Sequence, residues 1–345
     1  MKVMHLLQSP HFSGAENVVC QIITMMKNQP DMEAFYCSCD GPIRKALEER
    51  KIRFSPISNI SIKEVKRVIR EEKPDIIHAH DRTASLIAAL CCGEIPFISH
   101  IHYNAENTRS FSIKALGYLI AAIKAKHIIW VSQSSYDGYK FHRLLKNKST
   151  ILYNIIDVDA LYRKMRLDQE VYNYDIIFIG RIVEQKDPLR LIEVCKLVTE
   201  KIKELRVAII GTGELEDEMK KEAIQLGMKD NIFFLGYQSN PLKILHDSKI
   251  MLMTSKFEGT PMCALEALAL GVPIVSTPAD GMKVLIREGE NGFLSENNGV
   301  LAQKAVEIIG SESLRKELSK RAIEYSKEYN DIQTYRNVIL QLYRS

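Results

Sequence analysis

Residues 250–276, IMLMTSKFEGTPMCALEALALGVPIVS, contain the pattern on which the fold depends. The apolar runs at the two ends of this stretch predict buried strands. Between them, Thr260 is a good N-cap, Pro261 suits the first position of a helix, and Gly271 ends that helix about three turns later. A strand, a helix and a strand in this order predict one unit of a parallel sheet.

The same alternation extends along nearly the whole chain. Apolar runs typical of strands occur at 2–7, 34–38, 76–79, 97–101, 127–131 and 149–152, and again at 174–179, 206–210, 232–235, 250–254 and 273–276. Helical patterns lie between them, for example at 15–27, 43–51, 62–72, 189–201, 214–226 and 264–270. Continuous apolar strands separated by helices indicate parallel sheets covered on both faces. Two such series predict an α/β protein with two doubly wound domains.

The domain boundary is predicted where the strand pattern stops. Residues 161–173 form a polar interval with no strand pattern. We therefore expect an N-terminal domain at 1–155 and a C-terminal domain at 156–329. The helical tail is too long merely to complete the second sheet, so its last part, 330–345, is expected to pack back on the first domain.

Composition narrows the class of protein. The chain has 345 residues, 46% of them hydrophobic, and its longest apolar runs have the length of strands rather than of membrane-spanning helices. Its seven cysteines form no CxxC pair, and residues 1–7 are too short to form the core of a signal peptide. We therefore expect reduced thiols and a cytoplasmic location, and neither a disulfide scaffold nor a zinc ribbon.

Charge is distributed unevenly. Residues 1–155 hold 21 basic and 14 acidic side chains, and within 109–148 eight basic residues accompany one acidic residue, Asp137. The aromatic residues show no RNP-like interleaving, so no nucleic-acid partner is expected. Residues 109–126 instead place Phe111, Ile113, Leu116, Leu119, Ile120 and Ile123 on one side of a helix bordered by lysines, which predicts binding to an anionic membrane surface. The alternative is that this apolar face covers the N-terminal sheet.

The chemistry is expected where strands lead into helices. Glu258 lies just before the helix of residues 250–276, and Glu266 lies about two turns inside it among apolar neighbours. Two carboxylates at this spacing can hold two polyhydroxylated parts of one ligand, with a diphosphate at the helix N-terminus between them. Gly14 opens a strand–helix turn, and Gly211 begins a GxG sequence, but the chain has no complete GxGxxG fingerprint and no P-loop.

These motifs resemble those of the family 4 retaining glycosyltransferases. The sequence EGTPMCALEALALGVPIVST at 258–277 looks like the family signature, and the other landmarks follow the family order. They are SGAE at 13–16, IIHAHD at 76–81, ISHIHYN at 98–104, VSQSS at 131–135, YNIID at 153–157 and FIGRIVEQKD at 178–187. The resemblance implies a GT-B fold, in which two Rossmann-like domains face each other across a cleft.

The resemblance also implies roles for individual residues. Arg181 and Lys186 match the basic pair that binds the donor diphosphate, Glu266 matches the residue that binds the nucleotide ribose, and Glu258 matches the one that contacts the transferred sugar. His102 matches a histidine near the sugar and the diphosphate, and the Gly14 backbone is expected to contact the phosphates or the acceptor. The remaining expected donor-site residues are Gly259, Thr260, Pro261, Met262, Gly211 and Tyr237.

No cofactor or metal is expected. Asp157 and Asp159 form a DxD sequence, which in other glycosyltransferases holds a divalent metal, but here it lies at the predicted domain junction. With Arg181 and Lys186 supplying positive charge, we interpret it as a structural turn.

The resemblance therefore implies an enzyme that transfers a sugar, with retention of configuration, from a nucleotide-diphosphate sugar, expected to be a UDP-sugar. The acceptor would be a glycan or a lipid-linked sugar in bacterial surface polysaccharide synthesis, reached at the inner face of the plasma membrane. Two alternatives stay open. A GT-B-fold sugar-nucleotide epimerase needs an acid/base set that the sequence does not supply, and a non-catalytic partner subunit would have no need to retain all four charged residues.

Overall fold

The structure is a computed structural model that describes residues 1–27, 29–102 and 108–345. The described chain divides into two compact units. Unit 1 contains Met1–Asn154 together with Ile332–Ser345, and unit 2 contains Ile155–Asp331.

Unit 1 is a parallel α/β sheet with helices. Its described strands are β1 (Lys2–Leu6), β2 (Glu33–Cys37), β3 (Ile76–Ala79), β4 (Phe97–Ile101), β5 (His127–Trp130) and β6 (Ser149–Ile151). Its described helices are α1 (Gly14–Met26), α2 (Ile43–Glu49), α3 (Ile62–Glu72), α4 (Arg82–Cys91), α5 (Ile113–Lys124), α6 (Gln133–Asp137) and the C-terminal α15 (Ile332–Arg344). A 3₁₀ helix spans His142–Lys148.

The strand order in unit 1 is β2-β1-β3-β4-β5-β6, and every pair is parallel. The strands are largely buried because helices cover both faces of the sheet, and their buried residues are mostly apolar. After β1 the chain forms β2 at one edge of the sheet, and it then crosses to β3 on the other side of β1. The topological switch point therefore lies between β1 and β3, where sheets of this kind bind ligands.

Unit 2 repeats this architecture. Its strands are β7 (Ile176–Ile179), β8 (Val207–Ile210), β9 (Ile232–Gly236), β10 (Ile250–Met253), β11 (Ile274–Ser276) and β12 (Gly292–Leu294). Its helices are α7 (Val158–Met165), α8 (Pro188–Thr199), α9 (Glu216–Gln225), α10 (Leu242–Asp247), α11 (Met262–Ala269), α12 (Met282–Leu285), α13 (Asn298–Gly310) and α14 (Glu312–Tyr329), with a 3₁₀ helix at Glu184–Lys186. The order β12-β11-β10-β7-β8-β9 places the switch point between β7 and β10.

The predicted fold class, two doubly wound α/β sheets, is confirmed. Each predicted strand is present with its ends shifted by at most two residues. Strand β12, which has only three residues, was not predicted, and it is recognised by its pairing with β11. Helix α7 extends into the polar interval at 161–173, in which no strand was predicted.

The C-terminal helix α15 belongs to unit 1. It buries Tyr335, Ile339 and Tyr343, and the Tyr343 hydroxyl is hydrogen-bonded to Nδ1 of His78 at 2.7 Å. Among residues 1–27, 29–102 and 108–345, no helix combines the length and the hydropathy that are needed to cross a bilayer.

Candidate functional site

The loops at the switch point of unit 2 carry several charged residues. Strand β7 is followed by Arg181 and Lys186, and the neighbouring strand β10 is followed by Glu258. Because β7 and β10 are adjacent and parallel, their carboxyl ends meet at the same edge of the sheet. The two loops therefore place these side chains at the position where open α/β sheets bind ligands.

Lys186 and Glu258 form a buried ion pair. The Lys186 ammonium donates a short hydrogen bond to Oε1 of Glu258, and the two side chains are only 14% and 6% exposed. The Ser255 hydroxyl donates a second hydrogen bond, of 2.6 Å, to the same oxygen. Sequence reasoning identified both charged residues but assigned them to different parts of a ligand, and it did not identify Ser255, three residues before Glu258.

The charge of Lys186 depends on its partner. Burial lowers the pKa of the Lys186 ammonium, but the Glu258 carboxylate more than offsets this, so that the pKa lies above its usual value. The nearby Arg181 acts in the opposite direction. Lys186 is therefore fully protonated at neutral pH, and it presents a cation that is already largely desolvated.

Backbone and side-chain hydrogen bonds hold the two loops together. The Thr254 hydroxyl lies within hydrogen-bonding distance of the carbonyl oxygens of Lys186 and Asp187, at 3.1 and 2.9 Å. The Gln185 amide donates to the Phe257 carbonyl at 3.0 Å, and the Lys256 N–H donates to the Gln185 carbonyl at 2.9 Å. These bonds preorganise the ion pair, because they connect the loop after β7 with the loop after β10.

The loop before α11 corrects one prediction. Thr260 is not the N-cap. The helix begins at Met262, and Pro261 occupies the N-cap position without a side-chain hydrogen bond to the helix. The preceding loop is held instead by close packing against Gly281. A Cβ at position 281 would lie 1.5 Å from the Gly259 carbonyl oxygen, so only glycine allows this approach. Gly259, Thr260, Pro261 and Met262 are all buried, so the loop is held closely against the rest of unit 2.

Glu266 lies on α11 and is half-buried. Cys263 lies one turn before it on the same helix. Burial raises the pKa of the Cys263 thiol to about 12, Glu258 and Glu266 add to this shift, and Lys186 opposes it. Sequence reasoning did not single out this cysteine. Its position one turn before Glu266 was the available signal.

The other expected donor-site residues lie at the same edge of the sheet. Arg181 is exposed after β7, Gly211 follows β8 and the exposed Tyr237 follows β9. Gly211 has a φ of +127°, and a Cβ there would lie 1.9 Å from the Gly180 carbonyl oxygen. Only glycine allows the turn after β8 to approach the turn after β7 this closely.

Two expected site residues belong to unit 1. Gly14 is the exposed first residue of α1, after the N-cap Ser13. His102 follows β4 and is half-buried, with its Nε2 3.1 Å from Nδ1 of His80. Tyr103 and Asn104, which end the second histidine motif, lie outside the described residues.

The DxD sequence occupies a structural position. The Asp157 carboxylate accepts a hydrogen bond from the Ala160 N–H at 2.8 Å, so it caps α7, and Asp159 is exposed in the first turn of that helix. Asp157 is therefore an N-cap residue.

Comparison with known families covers both units. The family profile described as Glycosyltransferase Family 4 matches residues 12–160, and the profile described as Glycosyl transferases group 1 matches residues 167–328. The two matches divide the chain close to the boundary between the two units.

Curated relatives and solved structures agree with these profiles. The chain is 26% identical over 330 residues to the UDP-Gal:alpha-D-GlcNAc-diphosphoundecaprenol alpha-1,3-galactosyltransferase of Escherichia coli. The match covers 87% of this chain and 85% of the relative. It is 31% identical over 236 residues to an uncharacterized glycosyltransferase of Methanocaldococcus jannaschii, covering 61% of this chain and 57% of the relative.

Among solved structures, the chain is similar in fold to Anabaena HepE in complex with UDP-glucose. The TM-score is 0.84 at 21% identity, and the match covers 99% of this chain and 98% of the other. The chain therefore belongs to the glycosyltransferases, with a family 4 domain at residues 12–160, a group 1 domain at residues 167–328 and a GT-B fold.

Proposed function

We propose that this glycosyltransferase moves a sugar, with retention of configuration, from a UDP-sugar to a hydroxyl group of a glycan or lipid-linked acceptor in bacterial surface polysaccharide synthesis. The observation that carries the proposal is the buried Lys186–Glu258 ion pair at the switch point of unit 2. Arg181 lies in the same loop as Lys186, and Glu266 lies on the helix that follows Glu258. Relatives support the substrate class, since one is named for UDP-Gal and an undecaprenol-linked acceptor.

The charged groups suit departure of a nucleoside diphosphate. As the glycosidic bond breaks, negative charge develops on the diphosphate, and the preorganised cations Lys186 and Arg181 stabilise it without a metal ion. Glu258 accepts hydrogen bonds from hydroxyls of the transferred sugar, and Glu266 accepts them from the ribose. Bound diphosphate gives Lys186 a second anionic partner, which offsets the desolvation of its ammonium group.

Retention follows from the family resemblance rather than from a protein nucleophile. In a front-face displacement, the departing phosphate oxygen takes the proton of the acceptor hydroxyl, and that hydroxyl oxygen bonds to the anomeric carbon on the face that the phosphate leaves. The protein contributes orientation and charge stabilisation. We expect His102 and the Gly14 backbone of unit 1 to act near the reacting sugar.

A panel of nucleotide-sugars tests the donor. A ligand at one hundred times its Kd adds about 2.7 kcal/mol to the free energy of unfolding, so the correct donor should raise the Tm clearly above the other members of the panel. The reaction should then proceed in buffer stripped of divalent ions, without added Mg²⁺ or Mn²⁺. NMR of the product should show the anomeric configuration of the donor.

Three results would contradict the proposal. Donor conversion without any acceptor would indicate an epimerase, and donor binding without turnover across an acceptor panel would indicate a non-catalytic partner subunit. A strict requirement for added Mg²⁺ or Mn²⁺ would show that Lys186 and Arg181 do not suffice to stabilise the diphosphate.

We further propose that unit 1 docks on an anionic membrane surface through α5. The helix packs on its own sheet with Ala115, Tyr118, Ala121 and Ala122, and it leaves its large apolar side chains outside. The exposed fractions are 72% for Phe111, 90% for Ile113, 49% for Leu116, 61% for Ile120 and 64% for Ile123, and the neighbouring Leu144 is 74% exposed. Leu119 differs from the prediction, since it is half-buried against the core.

Basic residues border this apolar face. Lys114, Lys140, Arg143 and Lys146 are exposed, and each cation near anionic lipid contributes about 1 kcal/mol. Lys148, the last of the eight basic residues at 109–148, has a structural role instead. Its ammonium donates to the carbonyls of Ile123 and Ala125 at 2.6 and 2.8 Å, and so caps the end of α5.

Sedimentation with vesicles tests this surface. The protein should sediment with vesicles of anionic phospholipid, less so as salt increases, and the Lys140→Glu, Arg143→Glu, Lys146→Glu triple variant should largely remain in the supernatant. A matched control reverses three exposed cations of α14, Lys316, Lys320 and Arg321, and should still sediment. Equal binding to neutral vesicles, or full binding by the first triple variant, would contradict the proposed surface.

A further inference from the structure

Five histidines of unit 1 come together at the carboxyl ends of three adjacent strands. Because alternate residues of a strand point to the same face, the rings pack against one another, with centroid separations of 4.0 Å for His78–His80 and 4.2 Å for His100–His102. His5 on β1 completes the group, 5.1 Å from His80. The glycosyltransferase chemistry proposed above uses only His102 of these five.

The hydrogen bonds of the described residues satisfy only part of this cluster. His80 contacts two other rings, with its Nε2 2.9 Å from Nδ1 of His5 and its Nδ1 3.1 Å from Nε2 of His102. His100 is fully buried, and neither of its ring nitrogens has a hydrogen-bond partner among the described residues. Nδ1 of His102 is likewise buried and unpartnered there. Each such group costs about 1–3 kcal/mol, so a cluster of them calls for a bound ion or water.

The side chains of this cluster are of a type that binds metals. Imidazole is the commonest metal ligand among protein side chains, and it binds through the lone pair of a ring nitrogen. His100 has two ring nitrogens without a hydrogen-bond partner among the described residues, and His102 has one.

We propose that His80, His100 and His102 bind a divalent transition-metal ion of the zinc type. Their ligand nitrogens all lie within 4.8 Å of one another. Nδ1 of His80 and Nε2 of His102 are 3.1 Å apart, close to the separation of about 3.3 Å between two nitrogens bonded to tetrahedral zinc. The metal would draw one nitrogen of His100 toward this pair.

The surroundings favour this trio and this class of metal. Imidazole donors suit Zn²⁺, Cu²⁺ and Ni²⁺ rather than Mg²⁺ or Ca²⁺. The contact of His5 with Nε2 of His80 orients His80 so that its Nδ1 faces the other ligands, as outer-shell partners do in metal sites. His102 is only half-buried, so a water molecule can complete the coordination and metal can enter from solvent.

A second trio, His5, His78 and His80, satisfies the same distance criterion but is less suitable. All three rings are buried, which leaves no route from solvent, and Nδ1 of His78 is already paired with the Tyr343 hydroxyl. His78 therefore provides a control within the same cluster. The test of the proposed site measures metal binding directly, so its outcome can be distinguished from that of the transferase assay.

Metal titration of the full chain tests the site. After removal of any purification tag and of bound metal with dipicolinate, Zn²⁺ should bind with one equivalent in competition with a chromophoric chelator. Co²⁺ should give the visible bands of tetrahedral coordination. His100→Gln and His102→Gln should each weaken binding by at least about tenfold, and His78→Gln should weaken it less. Zn²⁺ should raise the Tm of the unsubstituted chain but not of His100→Gln.

Several outcomes would overturn the proposal. The first is that the unsubstituted chain does not bind Zn²⁺ tightly, which would leave water as the occupant. The second is that binding is unchanged in both His100→Gln and His102→Gln. The third is that only His78→Gln loses binding. X-ray absorption at the zinc edge of the unsubstituted complex remains decisive if the variants fail to fold. Three imidazole ligands support the site, and fewer contradict it.

Discussion

At the scale of single residues, the ion pair of Lys186 and Glu258 connects stability with function. In the structure the ammonium and the carboxylate neutralise each other in a desolvated position. In the proposed reaction each also contacts a different part of the donor. The site thus has its charges in place before the donor binds, which is the arrangement that lowers the reorganisation needed in the transition state.

The two glutamates should have separable effects. Glu266→Ala should weaken binding of free UDP and of the UDP-sugar together, by about 10- to 100-fold, because hydrogen bonds to a charged group contribute roughly 1.5–3 kcal/mol. Glu258→Gln should leave binding of free UDP nearly unchanged and reduce kcat by about 10²–10³. Calorimetric titration with UDP and initial-rate measurements check both. Equal loss of UDP affinity in the two variants would show that the assigned roles are wrong.

Lys186 should be important for folding as well as for catalysis. Lys186→Met leaves the buried Glu258 carboxylate without its cation, so the free energy of unfolding should fall by about 3–5 kcal/mol. The Lys186→Met/Glu258→Gln double variant removes both charges and should recover much of that loss. Urea unfolding of the two variants gives the comparison. A double variant as unstable as Lys186→Met alone would show that the uncompensated charge is not the cause.

At the scale of elements, the strands β1, β3 and β4 place five histidines on one buried face, whereas α5 places its large apolar residues on an exposed one. Both arrangements depart from the usual rule for the element concerned. Strands buried under helices normally carry aliphatic residues, and a helix on a sheet normally buries its largest apolar side chains. Each departure marks a face for which we propose a function.

The histidine face should make unit 1 sensitive to acid. His5 and His102 have a pKa of about 3 in the folded chain, against 6.5 when unfolded. Between these two values the ring is protonated in the unfolded state and neutral in the folded state, so stability falls as the pH decreases below 6.5. Each such ring contributes about 1.4 kcal/mol per pH unit in that interval. The buried carboxyls of Glu16 and Asp81, whose pKa values burial raises, act in the opposite direction.

Hydrogen exchange at a series of pH values checks this expectation. After correction for the intrinsic exchange rate, the free energy of opening in β1, β3 and β4 should decrease by more than 1.4 kcal/mol per unit between about pH 6.5 and pH 5, because several rings titrate together. The strands of unit 2 provide the reference within the same molecule. A decrease of the same size in both units would contradict a specific role for the histidines.

At the scale of the whole molecule, the last helix belongs to the first unit. Helix α15 follows unit 2 in the chain but buries Tyr335, Ile339 and Tyr343 within unit 1, where Tyr343 contacts His78. The integrity of unit 1 therefore depends on residues at both ends of the sequence, whereas unit 2 is continuous.

Termination of the chain after Asp331 should affect the units differently. Removing α15 deletes the buried side chains of Tyr335, Ile339, Leu340 and Tyr343. Such deletions cost about 2–5 kcal/mol each, and their sum is comparable with the whole stability of a domain. Unit 1 should lose its protection from hydrogen exchange, and unit 2 should still bind UDP. The control Tyr343→Phe loses only one hydrogen bond and should cost about 1 kcal/mol. Full protection of unit 1 in the truncated chain would contradict this assignment.

The sequence by itself determined the alternation of strands and helices and the division into two sheets. It also identified Arg181, Lys186 and Glu258 in the loops and Glu266 in the helix that follows them. These features depend on local periodicity and on short motifs, which can be interpreted over a few residues. The strands at 76–79 and 97–101 were predicted with their observed ends.

Only the tertiary structure decided which of these residues meet. Pairing of β7 with β10 brings Lys186 to Glu258, 72 positions later, and the order of strands in unit 1 brings His5 to His80. The tertiary structure likewise showed that Lys148 caps α5 instead of facing outward and that α11 begins at Met262 rather than at Pro261. Such contacts depend on the packing of elements distant in sequence, and no local pattern encodes the neighbour that a side chain acquires when the sheet assembles.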